Sequence, residues 1–277
     1  MPSSSTQKPP HSLEEILKHH RLEADEALLE RLSNDPLLAG LSPRDIEGKA
    51  EKDISKLLLG EYYYRIAQAL GVLASEFIRT AQEQISKGEW FDHRHHVLHP
   101  EKWFSDYWTL SADNVIPVLP LGGTLLNLCS GDGYYDYHFY RKRAGRIVGV
   151  DTHPEALRHA QRLHSAPNIE YISANVLTYE PVPNAFDVVL IRGAIEHFSM
   201  EEQQTLFRTA LKALKPGGWF CGDTVTPCEE LKDWWAHKYE WKDEAEMRRE
   251  LGKVFSKMET FTLVSKDRSR LFWRCQK

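Results

Sequence analysis

The sequence predicts an α/β protein: a mostly parallel, seven-stranded sheet with helices on both faces, preceded by an N-terminal helical region. Three observations carry this. Five short apolar runs between 124 and 225 are separated by turns and helix-like stretches, the pattern of βαβ units. None of the runs alternates cleanly between apolar and polar residues, as expected of strands buried on both faces. A glycine turn follows the first run and an aspartate closes the second, at the end of the sheet where such folds bind ligands.

Each element has its own signal. Residues 12 to 88 read as helices. Ser12 and Glu15 form a capping-box pattern ahead of an apolar helical stripe, the pattern restarts after Pro43, and "GEYYYRIAQALGVLASEFIRTAQEQISKG" is a longer amphipathic helix that Gly88 can end. The strands then follow in order: "TLLNLCS", "RIVGVD", "IEYISANV", "FDVVLIRG" and "WFCGDTV". A glycine turn and a helical stretch separate the first two. "HPEALRHAQRLHSA" is a helix with proline in its first turn, and another spans about Met200 to Leu214. "KPGG" turns the chain into the fifth strand. A helical insert is expected over about 228–257, and "METFTLVSKD" and "RLFWRCQ" form a closing hairpin. The expected organisation is a disordered tail over 1–11, a helical cap or lid over 12–110, and a ligand-binding domain over 111–277.

Composition removes several function classes. A net charge of −5 offers no footprint for nucleic acid, and "YRKRAGR" (140–146), the one dense basic patch, reads as the exposed end of a helix. No apolar run approaches the ~20 residues needed to cross a bilayer. "MPSSSTQKPP" is polar and lacks the apolar segment of a secretory signal, so a cytoplasmic protein without a membrane partner is expected. Cys129, Cys221, Cys228 and Cys275 form no C-x-x-C pair, which argues against a disulfide framework or a cysteine zinc site. Two of them sit in strand-like runs, where cysteine is usually a small buried hydrophobe.

The turn "NLCSGDGYYD" is the centre of the functional reading. Gly131 and Gly133 let backbone pass close under a ligand, and Asp151, twenty residues after Gly131, is placed to accept hydrogen bonds from both ribose hydroxyls. A dinucleotide would require G-x-G-x-x-G, because a pyrophosphate nests on the helix N-terminus. Here the first glycine position is Cys129 when Gly131 is counted as the second, the third is Asp136 when Gly131 is counted as the first, and Asp132 and Asp136 would repel a phosphate. The turn suits a nucleoside ligand without phosphates, such as S-adenosyl-L-methionine.

From about 110 to 277 the chain resembles the class I S-adenosylmethionine-dependent methyltransferases, a Rossmann-like family, through "LLNLCSGDG", "RIVGVD", "ISANVL", "FDVVLIRGAIEHF" and "LKPGGWF" in that order. The resemblance implies roles. The turn from Asn127 through Cys129, Ser130 and Gly131 to Gly133 holds the methionine part. Asp151 binds the ribose, Asn175 and the Val176 backbone hold the adenine edge, and Thr152 and His153 flank the ring. Arg192 and Gly193 face the methyl group. Three positions depart from the family pattern: Asn127 stands in place of an acid, Cys129 in place of glycine and Asn175 in place of aspartate. A strand-end asparagine at 127 and a helix-capping aspartate at 151 are the structural alternatives.

Methyl transfer from a sulfonium is a one-step displacement, so the protein mainly aligns its reactants. His197, after the fourth strand, is the first candidate for a general base, set against a histidine that only packs at a helix start; Glu196 is an alternative structural group. "WFDHRHHVLHPEKW" (90–103) carries four histidines. His95 and His99 have i, i+4 spacing near Asp92, but Pro100 interrupts a regular helix and no H-E-x-x-H accompanies them. The preferred reading is an active-site flap, with Arg94 on the cofactor's carboxylate and His95 or His96 on substrate and no metal; a solvated linker is the other. Trp90, Trp103, Trp108, Trp234, Trp235 and Trp241 either wall a pocket or pack between helices. The expected partner is a small-molecule substrate, with the N-terminal helices serving as lid or as a homodimer contact. The rival readings are an NAD(P)-dependent oxidoreductase and a non-catalytic cofactor-binding or interaction protein.

Overall fold

A computed structural model describes residues 105–228, 237–264 and 269–277, together with helical residues among 64–78; at 105–108 only the backbone is described. The chain divides into two compact units, Met1–Phe77 and Ile78–Lys277, and the sheet belongs to the second. Helix α1 (Ser105–Asp113) runs across position 110, where the sequence places the end of the cap region.

The sheet has seven strands: β1 (Thr124–Leu128), β2 (Arg146–Asp151), β3 (Ile169–Ser173), β4 (Phe186–Arg192), β5 (Leu214–Val225), β6 (Lys257–Leu263) and β7 (Arg270–Gln276). Their order is β3-β2-β1-β4-β5-β7-β6. Every described pairing is parallel except those of β7, which runs antiparallel to both β5 and β6. The expected hairpin is therefore β6–β7, folded back so that its second strand lies beside β5.

Lack of alternation in the strands has a direct cause. Leu126, Leu128, Val148, Val150, Val189 and Ile191 fill one core layer, while Leu125, Ile147, Val188 and Leu190 fill the other. Successive side chains point to opposite faces, and both faces are covered. Cys221 and Cys275 are fully buried in these layers as free thiols, as expected of small apolar residues.

Helices α2 (Pro154–Leu163), α3 (Met200–Ala213) and α4 (Glu244–Leu251) have legible starts. The His153 side chain accepts from Ala156 N ahead of Pro154, and Ser199 and Glu202 close a reciprocal capping box on α3. Buried Asn114, just after α1, donates through Nδ2 to Gly222 O and Trp273 O at 3.1 Å each, which pins this segment to β5 and β7.

Three sequence expectations change. The stretch after the glycine turn contains a five-residue π-helix, Asp136–Tyr140, and the basic patch beyond it is a turn that enters β2. Its cations have partners: Arg141 lies 3.9 Å from the Tyr137 ring centroid, Arg143 donates to Leu119 O, and Arg146 pairs with Glu170 at 2.8 Å. Within 228–257, the described helix is only α4, and 237–243 is irregular. Trp241 in that irregular piece is 1% exposed and lies 5.4 Å from Trp273, so it belongs to the core.

Candidate active site

Strand order reverses at β1, whose neighbours are β2 and β4. The carboxyl ends of these parallel strands open a crevice, which is where doubly wound sheets bind ligands. The described candidates at 127–133, 151–153, 175–176 and 192–197 lie at or just beyond these strand ends.

On the β2 side the site is made mainly of backbone. Ser130 N donates to Val150 O at 3.1 Å and Gly133 N to Ser130 O at 3.1 Å. Cys129, Gly131 and Gly133 all have positive φ, at 61°, 57° and 68°. For Cys129 this left-handed conformation costs on the order of 1–2 kcal/mol, which is why glycine suits the position. Gly133 is required for a reason the sequence did not show. A Cβ there would lie 2.1 Å from the Tyr171 hydroxyl, whose own contacts are Gly133 O and His164 O. Packing of Tyr171 under the turn, in addition to ligand approach, demands this glycine.

Asp151 organises the turn. Its Oδ2 accepts from Gly131 N and its Oδ1 from His153 N, both at 2.8 Å. Each carboxylate oxygen retains a further lone pair, so the group is oriented by backbone and still able to grip two hydroxyls. His153 caps α2, Thr152 is exposed, and Val176 has its side chain in the core. Asn175 is exposed, and its Oδ1 accepts from Leu177 N at 3.0 Å, closing a local turn at the end of β3.

The turn is unsuited to a pyrophosphate for a reason now visible in detail. Asp132, 1% exposed, accepts from Tyr134 N at 3.1 Å, so a carboxylate already occupies the N-terminal N–H that a phosphate would use. Asp136 is fully buried and accepts from Asn127 Nδ2 at 2.9 Å. The carboxyl that β1 lacks at position 127 is thus supplied nine residues later. Burial pushes Asp136 up to about 7; the Asn127 bond opposes this and Asp132 adds to it. Asn127 Oδ1, Asp136 Oδ2 and Ser130 Oγ are buried polar atoms with no hydrogen-bond partner.

On the β4 side the site is made of side chains. The Arg192 guanidinium lies 3.6 Å from the Tyr135 ring centroid and donates to Ser111 Oγ at 3.5 Å; Ser111 in turn donates to buried Asp223. Gly193, with φ of 51°, starts the turn that leads into a short 3-10 helix, Ile195–His197. Glu196 is 4% exposed and its Oε2 accepts from Thr224 Oγ1 at 2.8 Å. Burial raises its carboxyl, opposed by its own backbone N–H, by His237 and by Thr224. The His197 ring packs edge-on against His237, with centroids 4.7 Å apart. Between the two sides sits Cys129. Burial first, then the charges of Asp151 and Glu196, push its thiol well up.

Sequence reasoning named Asp136 only as a group repelling phosphate, and missed Ser111, Asp223, Thr224 and His237. Each joins the site through a contact that crosses between elements or a turn, and none carries a local motif. Arg94, His95, His96, His93, His99, Trp90, Trp103, Trp234 and Trp235 lie outside the described residues, as does the Trp108 side chain.

An antiparallel β7 lies between β5 and β6, unlike the 3-2-1-4-5-6 order of dinucleotide-binding sheets. Residues 125–218, which contain the turn, Asp151 and Glu196, match a sequence family described as a methyltransferase domain. The chain is similar, at 28% identity over 120 residues, to phosphoethanolamine N-methyltransferase 1 of Arabidopsis thaliana, and equally to that of Triticum aestivum. The aligned stretch covers 41% of this chain and spans about a quarter (24%) of the length of those relatives. Among solved structures, Haemonchus contortus phosphoethanolamine N-methyltransferase 2, in complex with phosphomonomethylethanolamine and S-adenosylhomocysteine, superposes with a TM-score of 0.54 at 18% identity, covering 61% of this chain and 52% of that one. The N-methyltransferase NodS of Bradyrhizobium japonicum WM9, in complex with S-adenosyl-L-homocysteine, superposes with a TM-score of 0.54 at 16% identity, over 70% and 96% of the two chains. The family match over 125–218 supports the expectation of a class I S-adenosylmethionine-dependent methyltransferase, and the expected Rossmann-like fold holds. Among the described residues, no helix is long and apolar enough to cross a membrane.

Proposed function

We propose that the methyltransferase domain moves a methyl group from S-adenosyl-L-methionine to nitrogen or oxygen of a small-molecule acceptor. The observation that carries this reading is Asp151. Two backbone N–H groups hold its carboxylate at the mouth of a turn that has no room for phosphate. The bare polar atoms beside it fit the remainder of the donor. Asn127 Oδ1 can accept from an ammonium group, and Ser130 Oγ can donate to a carboxylate. Asp151 takes the ribose hydroxyls, Thr152 and His153 flank the adenine, and Asn175 with the Val176 backbone meets its edge. When bound, the donor supplies an electrophilic methyl on a good leaving group. The chain's part is to align it, shield it and hold the acceptor.

The acceptor belongs on the β4 side. His197 is the candidate general base there, and Arg192 sits at the strand's end. Both curated relatives are named for methylation of a small phosphorylated amine, which favours a small polar acceptor, and a net charge of −5 disfavours nucleic acid. Arg94, His95 and His96 are assigned a contribution to the pocket, as a flap ahead of the first strand.

Isothermal titration of the full chain with S-adenosylhomocysteine and with NAD⁺ tests the reading. We expect saturable heat with the first and none with the second. Asp151→Ala removes two hydrogen bonds to a charged acceptor and should weaken binding by ~100-fold or more. Absence of heat with donor and product alike, or an Asp151→Ala variant that binds as tightly as the parent, would overturn it.

A further inference from the structure

The end of β4 carries more histidine and carboxylate than methyl transfer from a sulfonium requires. Glu196, His197 and His237 each offer one ligand-type atom, and these atoms all lie within 4.8 Å of one another. His237 stands forty residues beyond His197 in an irregular segment, so its presence needs a structural cause. Two features supply it. Glu196 O accepts from Lys238 N at 2.9 Å and from Tyr239 N at 3.1 Å, which clamps the chain just after His237 onto the 3-10 turn. Gln203, fully buried, donates through one amide nitrogen to Ile195 O, Phe198 O and Tyr239 O, at 3.1 Å each. The same polar staple therefore fixes both segments of the cluster.

The outer groups are those of a ligating set. His237 Nδ1 faces the carboxylate of Glu240, and the two side chains are only 11% and 15% exposed. A histidine that donates Nδ1–H to a carboxylate has its lone pair on Nε2 and its ring rotation fixed, which is the arrangement behind metal-bound histidines. Glu196 is held on its other side by Thr224. Carboxylate and imidazole ligands are thus both oriented by second partners that are themselves buried or half-buried.

We propose that Glu196, His197 and His237 bind one divalent transition-metal ion, of the Zn²⁺, Co²⁺ or Mn²⁺ kind, at the carboxyl end of β4. Two imidazoles and one carboxylate favour such an ion over Mg²⁺ or Ca²⁺, which prefer all-oxygen shells. A tetrahedral site with bonds of ~2.1 Å has an edge of about 3.4 Å, so the cluster has to draw in from its present spacing as the ion binds. In the ion-loaded chain the His197 lone pair is on the metal, so its role as a base belongs to the metal-free chain; three protein ligands leave at least one open position, suited to an oxygen or nitrogen lone pair of an acceptor molecule. Only that last consequence rests on the methyltransferase reading; ion binding follows from the cluster alone. A second such group among the described residues, Asp132, His159 and His164, lies apart from the end of β4.

The test uses full-length protein stripped with a chelator, dialysed, and titrated with Co²⁺ and Zn²⁺, following visible absorption for cobalt and heat for zinc. We expect one equivalent per chain. Glu196→Gln and His237→Ala should each abolish that equivalent. Glu240→Gln should keep the stoichiometry and lower affinity by roughly 10–100-fold, a response that a purely structural glutamate would not produce. S-adenosylhomocysteine titration of each variant monitors the fold independently. Loss of nucleoside binding in every sample would overturn the function above and leave the metal result readable. The inference fails if the parent protein retains no stoichiometric ion. It fails equally if Glu196→Gln and His237→Ala bind the same ion as the parent, which would place it elsewhere, for instance among His93, His95, His96 and His99.

Discussion

The carboxyl ends of β2 and β4 flank β1 and face one crevice, yet they are built by different means. At β2, backbone N–H groups and positive-φ residues shape the turn, and one carboxylate ties it together. At β4, buried side chains from segments far apart in sequence converge: Ser111, Asp223, Glu196, Thr224 and His237. On the proposed function, a donor common to many enzymes is met by backbone, which any sequence with the right glycines can present. The acceptor, particular to one enzyme, is then met by side chains, which are free to change without loss of the fold.

Substitutions can break this comparison or sharpen it. The largest effect is expected on the β4 side and should leave donor binding intact. His197→Asn should lower kcat by ~10²–10⁴-fold while the S-adenosylhomocysteine Kd stays within about twofold of the parent. A matching rise in Kd would erase the distinction between the two sides. On the β2 side the reverse is expected, because geometry there belongs to the fold. Gly133→Ala should cost about 2–3 kcal/mol in urea denaturation, since its methyl would meet Tyr171 and its φ of 68° is unfavourable to alanine. Gly133→Ala combined with Tyr171→Phe should recover part of that loss by removing the hydroxyl in the way.

A smaller effect concerns pH. The folded-state value of Asp136 is raised from 3.8 to about 7 by burial. Its stabilisation is therefore complete below the ordinary value and is lost as pH rises through about 7. Asp136→Asn should be more stable than the parent at pH 8, and the advantage should shrink at pH 5. A constant difference across that range would show that the carboxyl does not titrate there. The smallest effect is expected at Cys129. Cys129→Gly relieves a left-handed side chain but loosens the unfolded chain, so the net change should lie within about 1 kcal/mol by thermal or urea unfolding.

The same contrast explains what was legible in advance. The sheet, its order of elements and the closing hairpin could be read because apolar runs and turn glycines act locally. Asp151 could be read because strand end and turn lie a fixed distance apart. The glycine stretch signalled a turn, but not that Gly133 also makes room for Tyr171, thirty-eight residues away. Asn127 read as a missing charge, because nothing local says that Asp136 folds back beneath it. His197 read as a lone histidine after a strand, because its neighbour His237 arrives through backbone bonds to Glu196 and a buried Gln203. Contacts of that kind depend on tertiary closure, and no spacing rule encodes them.

Cys129 stands between Asp151 and Glu196 with its sulfur kept protonated. A neutral thiol is a poor nucleophile. Beside the sulfonium of the proposed donor, an ionised cysteine would compete with the acceptor and lead to self-alkylation of the chain. Burial first, and then the two flanking carboxylates, disfavour the thiolate and so oppose that side reaction; slow labelling by iodoacetamide in the folded chain is the expected sign of it.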